Sequence, residues 1–147
     1  TLPFKWSRAY RSLMETGKPW MKQSMELAAD CNGVCQFNCN SGKDRTGMFA
    51  AALLAIAGVA VEDIAADYCV SQGLLDIFYE KGVKMMYSRK DRGIKEKSPL
   101  LITSPDNIFD IFDYMDKTYG GFMGYLKDCG ISDDTIEKIR AKFIERF

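Results

Sequence analysis

The sequence contains no histidine. Within this chain that excludes Ser-His-Asp triads, Cys-His proteases, HExxH zinc sites and histidine-ligated catalytic metals together. Any nucleophile here must be activated by local dipoles and cations. An excess of charge of one sign is missing too. Twenty Lys and Arg balance twenty Asp and Glu, so bulk charge points to neither nucleic acid nor a membrane surface. No run approaches the roughly 20 apolar residues that a transmembrane helix needs, and the N-terminus lacks the shape of a signal peptide. A disulfide framework is absent as well, because five cysteines is an odd count at unsuitable spacings. A reduced, cytoplasm-like compartment is the expected setting. Cys31, Cys35 and Cys39 lie four apart, yet helix should give way to strand between them, so they share no face for a metal. Neither a metal nor a cofactor is expected.

What is present suits one domain with one core: 147 residues, 47% hydrophobic and 27% charged. Thr1 stands where an initiator methionine would, so the start is expected to be a cut or processed end. Phe4, Trp6, Tyr10, Leu13 and Met14 predict partial helix up to Thr16, broken by Gly17. Pro19 suits the first turn of a helix to about Asp30, with Trp20, Met21, Ser24, Leu27 and Ala28 near one face. Asn32-Gly33 is a turn signal, and Val34 to Asn38 predicts a short buried strand. Thr46 to Ala57 is apolar all round, the pattern of a buried helix, and Gly58 ends it.

Glu62 to Tyr79 predicts a second long helix with Ile64, Tyr68, Leu74, Leu75 and Phe78 apolar. Lys84 to Pro99 is polar and basic, and a solvated loop is its expected state. Ser104-Pro105 starts a helix that runs to Tyr119 and closes at Gly120-Gly121. A short helix over Phe122 to Asp128 ends at Gly130, and Ser132 caps a last one carrying Ile136, Ile139, Phe143 and Ile144.

One strand alone is physically incomplete, because its backbone groups need neighbours. Either further strands hide in runs such as Leu100 to Thr103, or the chain is the C-terminal part of a larger α/β domain. The second is the expectation: an α/β fold with a parallel sheet flanked by helices, of which residues 1–147 form mostly the helical part.

The stretch that carries chemistry is Cys39-Asn40-Ser41-Gly42-Lys43-Asp44-Arg45-Thr46-Gly47. A cysteine, a turn of small residues and an arginine opening a helix form an arrangement for holding an anion. The turn's N–H groups and those of the helix's first turn point inward, and the helix dipole adds positive potential. The anion is a substrate phosphate or the cysteine's own thiolate, and the stretch suits both in turn.

Hydrolysis of a phosphate monoester through cysteine needs four parts. Cys39 at a helix N-terminus beside Arg45 supplies a thiolate, since such a setting lowers a thiol pKa to about 3.5–7.5. The backbone from Asn40 to Arg45 offers donors to the phosphoryl oxygens, with Gly42 free to take positive φ. The Arg45 guanidinium adds a two-pronged contact, and the Thr46 hydroxyl can donate to the sulfur as it leaves. The fourth part is an acid for the leaving oxygen. Asp44 is the candidate in the loop, where an N-terminal helix charge is its bland alternative, and a carboxyl on another segment is the alternative source.

Cys-x5-Arg alone is a weak signal. The whole string from Asn38 to Gly47, set between strand and helix, is far more specific. It resembles the HCxxGKDRTG signature of the bacterial atypical protein tyrosine phosphatases, which also hydrolyse phosphoinositides. The resemblance runs on through Gly58-Val59 to Asp67-Tyr68, Tyr119-Gly120-Gly121 to Tyr125-Leu126, and Gly130-Ile131-Ser132 to Arg140. It implies Cys39 as nucleophile, Arg45 as phosphate clamp, Asp44 as acid and Lys43 as a reader of extra phosphates, with Asn40, Ser41 and Gly42 lining the substrate. It also implies a sheet formed by residues before Thr1.

One position departs. Asn38 replaces the family's histidine, and an amide keeps a hydrogen bond without carrying charge. The Asn-Cys-x-Ser-Gly-Lys-Asp-Arg-Thr-Gly form from Asn38 to Gly47 also resembles secreted bacterial inositol-phosphate phosphatases, which leans the substrate toward phosphoinositides and makes secretion the alternative to a cytoplasmic setting. The downstream match favours the first family.

The reading is therefore a metal-independent cysteine phosphatase acting on phosphotyrosine protein or phosphoinositide. A phosphatase-like binding module that holds a phospho-ligand without turnover is the second possibility. A sulfur-transfer or arsenate-reducing enzyme is a third and fits Lys43-Asp44 and Thr46-Gly47 less well. The sequence leaves the oligomeric state open.

Overall fold

The computed structural model describes residues 6–78 and 102–143 of the chain. Among the described residues seven helices follow in order: α1 (Trp6–Thr16), α2 (Lys18–Asp30), α3 (Asp44–Ile56), α4 (Val61–Phe78), α5 (Pro105–Tyr119), α6 (Phe122–Asp128) and α7 (Asp133–Phe143). Their ends lie where the local chemistry puts them. Pro19 sits in the first turn of α2. The Ser104 hydroxyl accepts from the Asp106 N–H at the start of α5, and Gly120 closes that helix at φ 71°. Ser132 Oγ accepts from the Thr135 N–H at the start of α7. The basic stretch from Lys84 to Pro99, Leu100 and Ile144 lie outside the described residues.

α3 is the centre. It carries Met48, Phe49, Ala51, Ala52, Leu53 and Ile56 buried, and it packs against α1, α4, α6 and α7. Each fully buried Met or Ile contributes about 1.5–3 kcal/mol from area removed from water. A helix buried on several sides must be apolar around its circumference, as this sequence is. Gly47 permits one close approach within this packing. A Cβ there would stand 2.9 Å from Cδ2 and 3.1 Å from Cε2 of the Tyr68 ring on α4.

The expected parallel sheet flanked by helices is not observed: among the described residues every regular element is a helix. Val34 to Asn38, expected as a buried strand, is exposed throughout, with Val34 97% exposed. No backbone–backbone hydrogen bond joins 33–40 to another described segment. A run of β-type residues forms a strand only where a neighbour completes the ladder, and here none does. Ile102 and Thr103 are likewise no strand; the Thr103 N–H bonds the Gln72 side-chain carbonyl at 2.6 Å instead.

The face of α2 also differs from expectation. The core takes Met21, Met25, Ala28 and Ala29, whereas Leu27 is 67% exposed. Trp20, Ser24 and Leu27 form the wall of a groove that opens beside Cys39.

Candidate active site

The α2 helix ends at Cys31 in extended geometry, and the unstructured segment that follows brings Cys39 to the N-terminus of α3. The turn between them needs a left-handed residue, and Gly42 provides it at φ 68°. α3 starts at Asp44, two residues before the apolar pattern begins. Its first helical bond runs from the Gly47 N–H to the Lys43 carbonyl at 2.9 Å. The N–H groups of Asp44, Arg45 and Thr46 are thus left without an intrahelical acceptor.

Some of those groups reach the sulfur. Burial pushes the Cys39 thiol up, but the Thr46 hydroxyl and the N–H groups of Thr46, Ser41 and Gly42 outweigh it and bring the pKa down to about 7. At neutral pH about half of the sulfur is therefore thiolate, against a few per cent for an ordinary cysteine. Thr46 Oγ1 is buried and makes no hydrogen bond of full geometry among the described residues. It is nonetheless the strongest of the donors that lower the Cys39 pKa, ahead of the backbone N–H groups.

Cys39, Arg45 and Thr46 share one open groove of about 330 Å³ with Trp20, Phe37 and Phe49. Phe49 forms the hinge of its aromatic wall, with the Phe37 ring centroid at 4.9 Å and that of Trp20 at 6.0 Å. Arg45 is exposed at the mouth, where its guanidinium can meet an incoming anion. Asn40 and Ser41 are exposed on the turn. Asn38, also exposed, turns its amide to the Cys39 carbonyl at 3.3 Å. Among the described residues no three Cys, Asp or Glu side chains come together to hold a metal.

Lys43 and Asp44 are not among the residues that line this groove, though the Asp44 side chain stays 29% exposed. Lys43 is 1% exposed, with its ammonium 3.2 Å from Asp44 Oδ1, 3.3 Å from the Ile102 carbonyl and 3.6 Å from the centre of the Trp6 ring. Burial lowers its pKa and the Asp44 carboxylate opposes that. The expectation of Lys43 as a reader of extra phosphates did not foresee this burial. Asp44 Oδ1 also accepts from the Tyr10 phenol at 2.6 Å. Sequence reasoning missed Trp6, Tyr10, Tyr68 and Asn107 around this pair, and no local pattern marks them.

Comparison with known proteins places this loop in context. The profile of the tyrosine phosphatase family matches residues 4–145. The chain belongs to the tyrosine phosphatase family. A tyrosine-protein phosphatase of Nostoc commune is 29% identical over 156 residues, covering 97% of this chain and 50% of the relative. The triple specificity protein phosphatase PtpB of Mycobacterium tuberculosis is 31% identical over 116 residues, covering 70% of this chain and 41% of the relative. The chain thus spans about half the length, or less, of these phosphatases. As a tyrosine phosphatase family member it carries its Cys-x5-Arg stretch at the junction where the loop enters α3. No helix among the described residues is long and apolar enough to cross a membrane.

Proposed function

We propose that this chain carries the reaction centre of a phosphoric monoester hydrolase that works through a cysteinyl-phosphate, on phosphotyrosine protein or phosphoinositide. One observation carries the reading: backbone N–H groups and a threonine hydroxyl bring the Cys39 thiol down to about 7, in the groove that Arg45 borders. The Cys39 thiolate attacks phosphorus, the bond to the leaving oxygen breaks, and Asp44 gives that oxygen a proton. Water then attacks the phosphorus and gives a proton to the Asp44 carboxylate, which restores the acid. The S–P bond breaks, inorganic phosphate leaves and Cys39 returns to thiolate, with Thr46 donating to the departing sulfur.

Through both steps the equatorial oxygens keep the N–H groups of Asn40 to Arg45 and the Arg45 fork, donors fixed before charge develops. The mechanism draws on no metal. The aromatic wall of Trp20, Phe37 and Phe49 supports an aryl ester as substrate. The names of the Nostoc and Mycobacterium relatives support protein substrates. The Lys43 ammonium lies among Asp44, Ile102 and Trp6, so a role in reading extra phosphates requires a change of rotamer on binding.

The test is hydrolysis of p-nitrophenyl phosphate by the whole protein. It should persist in chelator and vanish in Cys39→Ser; an undiminished rate in that variant overturns the mechanism. A binding module without turnover is favoured by the neutral Asn38. It would show phosphate affinity that depends on Arg45 with neither burst nor turnover.

A further inference from the structure

Tyr10 lies 34 positions from Asp44, yet its phenol donates to Asp44 Oδ1 at 2.6 Å. The same phenol oxygen is 2.7 Å from the Tyr68 hydroxyl, and Tyr68 accepts from the Asn107 side-chain amide at 3.4 Å. A phenol has a single proton. Tyr10 spends its proton on the carboxylate, so Tyr68 must donate to Tyr10, and its own oxygen is left to accept from Asn107. The three side chains thus form a relay of fixed direction from α5 through α4 and α1 to the loop. Tyr10, Tyr68 and Asn107 are all buried, and the Trp6 ring stacks on Tyr10 at 5.0 Å. Burial and the bonds to Asp44 and Tyr68 hold the Tyr10 phenol above its ordinary pKa, so it stays a donor.

The second donor to this carboxyl, the Lys43 ammonium, also falls on Oδ1, at 3.2 Å. An acid oxygen that accepts from two donors is the wrong place for a transferable proton. The geometry points to Tyr10 as a positioning residue, backed by Tyr68 and Asn107, that turns the Asp44 carboxyl so that Oδ2 carries the proton for the leaving group. This rests on the reading of Asp44 as the acid. A tie that merely joined α1 to the loop would need no such division between the two oxygens.

Leaving-group dependence separates the two roles. In the whole protein, kcat and KM are measured with phenyl phosphate, a poor leaving group, and p-nitrophenyl phosphate, a good one. Asp44→Asn should lose far more rate on the phenyl ester. Tyr10→Phe keeps the ring and should lose about tenfold on the phenyl ester, the rate equivalent of one hydrogen bond to a charged group. On the nitrophenyl ester it should lose no more than about twofold, with KM unchanged on both.

Tyr68→Phe removes the donor behind Tyr10 and should show the same selectivity, more weakly; it decides the matter if Tyr10→Phe fails to fold. Equal losses on both esters in the tyrosine variants, with Asp44→Asn still selective, overturn the positioning role alone. Equal losses in Asp44→Asn overturn the acid assignment and the positioning role with it.

Discussion

Replacing Gly47 with alanine tests the packing that fixes the loop against the helical core. Alanine in a helix is favoured over glycine by about 1 kcal/mol, so with free space the change would stabilise the protein. Space is not free at Gly47. The new Cβ would lie 2.9 Å and 3.1 Å from two carbons of the Tyr68 ring, against ordinary carbon contacts near 3.5–4.0 Å. That ring is buried, and its hydroxyl is bonded to Tyr10 and Asn107, so it cannot swing aside cheaply.

Overpacking of this kind costs about 1–3 kcal/mol, and the propensity gain offsets about one of these. A net loss of about 1 kcal/mol should lower Tm by about 2–8 °C in a domain of this size. Gly73 on α4 is the control, since a Cβ there meets nothing within 4 Å. Thermal unfolding of both variants should show Gly73→Ala up and Gly47→Ala down. A Gly47→Ala protein that gains stability like Gly73→Ala would refute the close packing of α3 on Tyr68.

Two further outcomes concern the sulfur. Thr46→Val removes the buried hydroxyl and should raise the alkylation midpoint of Cys39 by about one pH unit, which cuts the thiolate fraction at neutral pH several-fold; an unmoved midpoint would leave the backbone donors to act alone. Because the thiol pKa is lowered on folding to about 7, its contribution to stability is present above the unfolded value near 9.0 and is lost as pH falls through about 7. Partial exposure limits this to no more than about 2 kcal/mol between pH 9 and pH 6, read as the difference in urea unfolding between the native protein and Cys39→Ser; a pH-independent difference would contradict it.

The helices were legible because their signals are local. Pro19, Ser104-Pro105, Gly120 and Ser132 each act within a turn of where they stand, and each marks an observed helix end. The left-handed turn at Gly42 could be read the same way. What failed depended on partners. Val34 to Asn38 has strand composition, yet composition does not provide the neighbour that a ladder requires. Trp20 and Leu27 share an apolar stripe with Met21, and only the tertiary packing puts one in the core and the others on a groove.

The same limit applies to the candidate site. Cys39, Arg45 and Thr46 are close in sequence and meet at one groove, so their spacing announced them. The contacts of Lys43 and Asp44 come from Trp6, Tyr10 and Ile102, which are far from them in sequence. No periodicity encodes a bond between positions 34 apart.

In the proposed mechanism one ring of donors keeps the Cys39 sulfur ionised and then takes up a phosphate's oxygens. Its most direct test is the rate of Cys39 alkylation by iodoacetate against pH, with and without inorganic phosphate. The midpoint should lie near 7, with protection by phosphate that is lost in Arg45→Ala. A midpoint at or above the ordinary thiol value of about 8.5, with no protection by phosphate, would contradict it.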